Sequence, residues 1–144
     1  MKKNTLSYIP IFFIIIISNI LFSTYFITLF LVGVVFIIFM ECLKKGYYYM
    51  LILAIFTFLI IENTHGFTFL SLSLISMFLY YFIIPRIKHL FSSDTLREIF
   101  YIVSFYTILF LLYIYTNSFD ISSYFIFLVN IIIDCIIVGV LLWD

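Results

Sequence analysis

Long runs without a charged residue constrain the fold of this chain most strongly. No charge occurs from Asn4 to Met40, from Gly46 to Ile61 or from Phe67 to Pro85. A helix needs roughly 17–25 mainly apolar residues to cross about 30 Å of hydrocarbon, so runs of this length predict transmembrane helices. The alternating polarity of barrel strands is absent. With 67% hydrophobic and 10% charged residues, the chain also has too little polar surface to coat a soluble protein.

Charged and polar residues divide the chain into six predicted spans. The run from Asn4 to Met40 is too long for one span but fits a hairpin of two, turning near Ser18-Asn19 or Ser23-Thr24. One long first span and a cleaved signal peptide are the alternatives, and Leu21-Phe22-Ser23 is a poor cleavage site. We therefore predict an all-α membrane protein with one domain, a compact bundle of six short helices. The predicted spans cover residues of about 6–22, 25–40, 46–61, 67–84, 97–115 and 123–143, and the run that forms the fourth span stops at Pro85.

The basic residues predict the orientation of this bundle. Six spans place both termini and all seven Lys and Arg residues on one side of the bilayer, which the positive-inside rule identifies as the cytoplasm. A single long first span would instead separate Lys2 and Lys3 from Lys44 and Lys45. The charge distribution therefore favours the hairpin.

A short polar segment, residues 62–66, interrupts the apolar sequence between the third and fourth spans. Glu62 and His65 have the i, i+3 spacing of carboxylate-bridged metal sites, but such sites need a second pair from facing helices. His89, the other histidine, falls in the opposite loop. We therefore predict no metal site. Gly66 permits a left-handed turn, and Glu62 and its polar neighbours meet water there.

Asp134 is the one acidic residue near the middle of a predicted span. A central Asp costs on the order of 3 kcal/mol on insertion scales, and Asn130 lies one turn earlier on the same face. Either Asp134 is a proton-linked or substrate-contacting acid, or it is a protonated structural residue that shares hydrogen bonds with Asn130 or a neighbouring helix. The small number of buried polar groups favours the structural role. In span four, the stripe of Ser73, Ser76 and Tyr80 predicts close helix packing.

The remaining residues argue against catalysis. Cys42 and Cys135 lie at different depths and cannot form a disulfide. The sequence contains no nucleophile motif, paired carboxylates or glycine-rich phosphate loop, and it has only four glycines. Its basic loops carry too few charges for nucleic-acid binding. We therefore expect a protein without enzymatic activity, cofactor or nucleic-acid partner.

The order of segments from Tyr47 to about Tyr115 resembles that of the rod shape-determining protein MreD family. The similarity consists of a span, the turn LIIENTHGF, a hydroxyl-rich span (TFLSLSLISMFLYY), the basic loop PRIKHLF and another apolar span. Gly66 falls where the family has a glycine shortly after its third span. The family's preceding acidic residue would fall on Phe58, and its earlier glycines on residues 51–57, where this chain has none. Gly66 is therefore the one residue of the family's pattern that we transfer to this chain.

This resemblance implies a non-catalytic, multi-pass protein of the bacterial inner membrane that belongs to the cell-elongation complex. Its partners would be the lipid bilayer, an MreC-like shape protein, the actin-like MreB, and the polymerase and transpeptidase that build peptidoglycan. The alternative is a small-molecule carrier, such as the substrate-binding membrane subunit of a vitamin transporter. A carrier needs a pocket with convergent polar groups, for which Asp134 and Asn130 are the strong candidates. The short extracytoplasmic turns favour assembly over carriage.

Overall fold

The computed structural model describes residues 9–23, 31–116 and 121–143. These residues form six helices and no strand, which confirms the predicted all-helical fold. The helices, numbered in chain order, are α1 (Ile9–Ser23), α2 (Val32–Lys45), α3 (Tyr48–His65), α4 (Ser71–Ile87), α5 (Asp94–Thr116) and α6 (Ile121–Trp143).

Three of these helices are long and apolar enough to cross a membrane. They are α3, α5 and the segment Ile121–Val140 of α6, whereas α1 and α4 are shorter apolar helices. Helix α1 continues through Ser18-Asn19 to Ser23, which excludes the first of the two predicted turn positions. The second position, Ser23-Thr24, and the start predicted for span two lead into residues 24–30, which lie outside the described residues.

Helix α2 lies at the centre of the bundle. It packs against α3, α4, α5 and α6, and every residue from Val32 to Met40 is buried. A helix that is apolar on all sides is stable when other helices surround it, and this segment of α2 contains no polar side chain. Lys44 and Lys45 follow in the last turn, where positive charge complements the helix dipole.

Aromatic side chains connect α2 to α3 and α5. The rings of Phe36 in α2 and Phe105 in α5 are stacked with their centroids 4.7 Å apart. Phe58 of α3 lies beside Phe105, with a centroid distance of 6.5 Å, and beside Phe39 of α2, at 5.9 Å. All four side chains are buried, so they fix the spacing of the three helices.

Helix α4 contains a π-helical turn and extends beyond the predicted end of span four. The turn, Leu79–Ile83, separates an α-helical segment, Ser71–Phe78, from a final α-helical turn, Ile84–Ile87. The N–H of Ile84 donates to the carbonyl of Leu79, five residues earlier. Pro85 is tolerated because it lies at the start of the final turn, where its missing N–H costs little. The helix therefore continues past Pro85, where the apolar run of the sequence stops.

The π turn also sets which residues of α4 face the bundle. Buried positions before it repeat every three or four residues, but the next buried residue after Leu79 is Ile84, five residues on. One extra residue per turn keeps Ile84 and Ile87 on the packed face. Arg86 and Lys88 are consequently exposed.

The turn between α3 and α4 is held by Glu62. Its side chain is 2% exposed, and its carboxylate accepts the N–H groups of Leu70 at 2.7 Å and Leu72 at 2.6 Å, and the hydroxyl of Ser71 at 3.4 Å. N–H groups at the start of a helix have no acceptor within that helix. The carboxylate supplies one from the preceding helix, so the prediction that Glu62 meets water is wrong.

The Glu62→Ala substitution should lower the free energy of unfolding by roughly 1–3 kcal/mol, because it leaves the N–H groups of Leu70 and Leu72 at the start of α4 without their acceptor. Glu62→Gln should cost less, since its amide retains one acceptor oxygen. Asn63→Ala is the matched control, because Asn63 is the next residue of α3 but is exposed. Unfolding of the purified variants in detergent, followed by circular dichroism, measures these differences. Equal losses in Glu62→Ala and Asn63→Ala would contradict the capping role.

Candidate functional site

Asp134 connects three helices through one oxygen atom. Its side chain is fully buried in α6. Its Oδ2 accepts the hydroxyl of Tyr106 in α5 at 2.5 Å and the backbone N–H of Gly33 in α2 at 2.8 Å. We call Asp134, Tyr106 and Gly33 the three-helix junction.

The spacing of buried residues along α6 turns Asp134 inward. Phe127, Asn130, Asp134 and Val138 are buried and follow one another at intervals of three or four residues, which places them on one face of the helix. The side chain of Tyr106 is also fully buried, and its ring packs edge-to-face against Phe127. The carboxylate of Asp134 thus lies among aromatic and aliphatic side chains.

The N–H of Gly33 can bind Asp134 because Gly33 lies in the first turn of α2. The N–H groups of a first turn have no acceptor in their own helix, and they carry the positive end of the helix dipole. Leu31, which precedes α2, has a left-handed backbone with φ of 60° and supplies no capping side chain. The carboxylate of Asp134 therefore caps α2 from α6.

Only a residue without a Cβ atom fits at position 33. A Cβ placed there would lie 2.6 Å from Asp134 Oδ2 and 3.1 Å from the Tyr106 ring. It would also lie 3.2 Å from Ile102 of α5. Glycine therefore allows α2 to approach both α5 and α6 closely.

Sequence reasoning identified Asp134 and missed its two partners. A glycine within an apolar span is a signal for close helix approach, and it could have drawn attention to Gly33. Tyr106 had no comparable signal, because it is one of 12 tyrosines and lies within a long uncharged segment.

Asn130 lies beside the junction, and two polar atoms there have no hydrogen-bond partner among the described residues. These atoms are Asn130 Nδ2 and Asp134 Oδ1, both buried. The structure thus brings both predicted residues onto the buried face of α6. In the parts of the chain that the structure describes, no group of three or more His, Cys, Asp or Glu residues could hold a metal ion.

The other predicted residues lie away from the junction. Ser73 and Ser76 are buried on the packed face of α4, where their hydroxyls donate to the carbonyls of Leu70 at 3.1 Å and Leu72 at 2.7 Å. Tyr80 is half-buried in the π turn. Gly66 ends α3 with φ of 72°, and its N–H donates to the Glu62 carbonyl.

A groove of about 250 Å³ lies between α5 and α6, next to the junction. Its walls are mainly apolar and aromatic, and they comprise Tyr106, Thr107, Phe110, Tyr124, Phe127, Leu128 and Ile131. The hydroxyls of Tyr106 and Thr107 are engaged, the first with Asp134 and the second with the carbonyl of Val103. The groove therefore offers few free polar groups to a ligand.

Comparisons of the chain with models of protein families, with curated proteins and with solved structures give no match.

Replacing Gly33 with Ala should lower the free energy of unfolding by about 1–3 kcal/mol, the usual cost of forcing an extra carbon into a packed site. Gly139→Ala is the matched control, because a Cβ at this glycine of α6 would meet nothing within 4 Å. The control should leave stability unchanged or raise it by up to about 1 kcal/mol, since Ala is the better helix former. Unfolding of both variants in mixed detergent micelles tests the difference. A Gly33→Ala protein as stable as the control would rule out the close approach at the junction.

Proposed function

We propose that this chain is a non-catalytic membrane protein that assembles with other membrane proteins in the bacterial inner membrane. The observation that carries the proposal is that the buried carboxylate of Asp134 is hydrogen-bonded to two other helices. Its Oδ2 is committed to Tyr106 and Gly33 within the bundle, where it joins three helices. An acid bound in this way stabilises a scaffold, and buried polar groups between helices commonly have that role.

The outer surface of the bundle suits lipid or partner helices. On α6, the residues Ile132, Ile136 and Val140 are 50–62% exposed and follow one another at intervals of four. Exposed apolar side chains at this spacing form a continuous stripe along one helix face. Such a stripe is suited to contact with neighbouring transmembrane helices or with acyl chains, which in this proposal cover that face of α6.

The partner assignment comes from the resemblance to the MreD family. On that basis the chain acts in the cell-elongation complex, with an MreC-like shape protein and the polymerase and transpeptidase of peptidoglycan synthesis. In this proposal the bundle crosses the membrane six times, both termini are cytoplasmic, and the basic ends of α2 and α4 face the cytoplasm.

A small-molecule carrier is the second candidate. It is favoured by one specific observation, the buried atoms Asn130 Nδ2 and Asp134 Oδ1, which have no partner among the described residues, while Tyr106, the partner of Asp134 Oδ2, lines the groove between α5 and α6. A carrier would use these atoms to bind a polar group of its substrate. The apolar lining of the groove makes this the weaker of the two proposals.

Two substitutions of Asp134 separate these functions. Asp134→Asn keeps an acceptor for Tyr106 and Gly33, so an assembly protein should retain its membrane abundance, rod-shaped cells and co-purification with the MreC-like protein. Asp134→Leu removes the acceptor and should weaken packing by roughly 1–2 kcal/mol, with loss of abundance or of the complex. Both variants are expressed in cells depleted of the native protein, and cell shape and co-purifying proteins are recorded.

The opposite result would support carriage. An Asp134→Asn protein that is abundant and folded but inactive would show that the ionisable group itself is needed, and it would exclude a purely structural role. The assignment to cell elongation would be contradicted if cells depleted of the native protein kept their normal shape. It would also be contradicted if the Asp134→Leu variant lost none of the wall-synthesis proteins that co-purify with the wild type.

A further inference from the structure

The C-terminal end of α4 carries exposed cations that no acid of the described chain neutralises. Arg86 and Lys88 are exposed, and neither side chain forms a hydrogen bond or ion pair with another described residue. His89 follows them and is also exposed. The sequence contains no acidic residue between Glu62 and Asp94. We call Arg86, Lys88 and His89 the basic corner.

Lys44, Lys45 and Arg97, the other Lys and Arg residues that the structure describes, have partners within the bundle. Lys45 forms an ion pair with Glu41 at 3.4 Å, one turn earlier in α2. Arg97 pairs with Asp94 at the start of α5. The ammonium group of Lys44 lies over the ring of Tyr101, 6.0 Å from its centroid. The basic corner therefore differs from its surroundings in having positive charge available for an external anion.

The π turn of α4 gives the basic corner its position. Because the turn keeps Ile84 and Ile87 on the packed face, Arg86 and Lys88 point away from the bundle. Tyr81 and Phe82, within the π turn itself, are about 60% exposed. Aromatic residues followed by cations at the end of an apolar helix match the boundary between acyl chains and lipid headgroups.

From this arrangement we infer that the basic corner binds the headgroups of anionic phospholipids, with the exposed aromatic rings of the π turn beside the upper part of the acyl chains. The inference rests on the proposed membrane location, and it assigns this location a specific lipid class. Each Lys or Arg close to an anionic membrane surface favours association by about fivefold, so two unneutralised cations produce a measurable preference.

The full-length protein reconstituted in phosphatidylcholine vesicles allows a direct test. Trace amounts of spin-labelled phosphatidylglycerol or phosphatidylcholine are added. Electron paramagnetic resonance then gives the fraction of each lipid that the protein immobilises. The wild-type protein should prefer phosphatidylglycerol severalfold at low salt, and 1 M NaCl should largely remove the preference.

A charge-matched pair of variants assigns this preference to the corner. The double variant Arg86→Gln/Lys88→Gln should lose at least half of the preference. The double variant Lys45→Gln/Arg97→Gln removes the same formal charge from cations that already have acidic partners, and it should retain most of the preference. Equal losses in the two variants would show a net-charge effect and overturn the assignment.

Two further outcomes are distinguishable. Immobilisation of both lipids without a preference would overturn the lipid inference and leave the membrane location standing. Failure to immobilise either lipid, with the folded protein remaining outside the vesicles, would contradict the membrane location as well.

Discussion

Two buried carboxylates cap helices whose own N-cap residues supply no capping hydrogen bond. Asp134 accepts the N–H of Gly33 at the start of α2, and Glu62 accepts N–H groups at the start of α4. Leu31 and Leu70 precede these helices with φ of 60° and 64°, and they are the non-glycine residues with positive φ in the described chain. Unpaired N–H groups cost several kcal/mol each in an apolar environment, and a negative charge complements a helix N-terminus. The central position of α2 and the α3–α4 turn both depend on these bonds.

Local sequence features predicted the helices but not the contacts that cap them. Uncharged runs revealed the number of helices, because length and hydropathy are properties of the chain itself. The depth of Asp134 indicated an inward side chain, but its acceptor role joins residues 101 positions apart, which no local pattern encodes. Glu62 was predicted to be solvent-exposed because it lies in a polar segment, whereas its carboxylate is buried against the backbone at the start of α4. The helix continues through Pro85, and the π turn before it keeps Ile84 and Ile87 on the packed face, which the local sequence does not reveal.

The same features relate the fold to the proposed function. Both buried carboxylates are used to hold helices together, which suits a scaffold whose outer surface contacts lipid and partner proteins. Along α6, apolar side chains point outward while Asp134 points inward, so one helix contributes to both the core and the proposed interface. At the end of α4, the π turn separates a packed face from an exposed pair of cations. Assembly in the plane of the membrane and contact with anionic headgroups are therefore compatible on this bundle.

The bond between Tyr106 and Asp134 gives the most direct test of the central claim, that the buried carboxylate holds the helices together. Free energies of unfolding in mixed micelles are needed for the wild type, Tyr106→Phe, Asp134→Ala and the double variant. Tyr106→Phe should cost about 0.6–1.7 kcal/mol in the wild type and clearly less in the Asp134→Ala background, where the hydroxyl no longer has the carboxylate as its acceptor. An equal cost in both backgrounds would show that the two side chains are not coupled and would contradict the account.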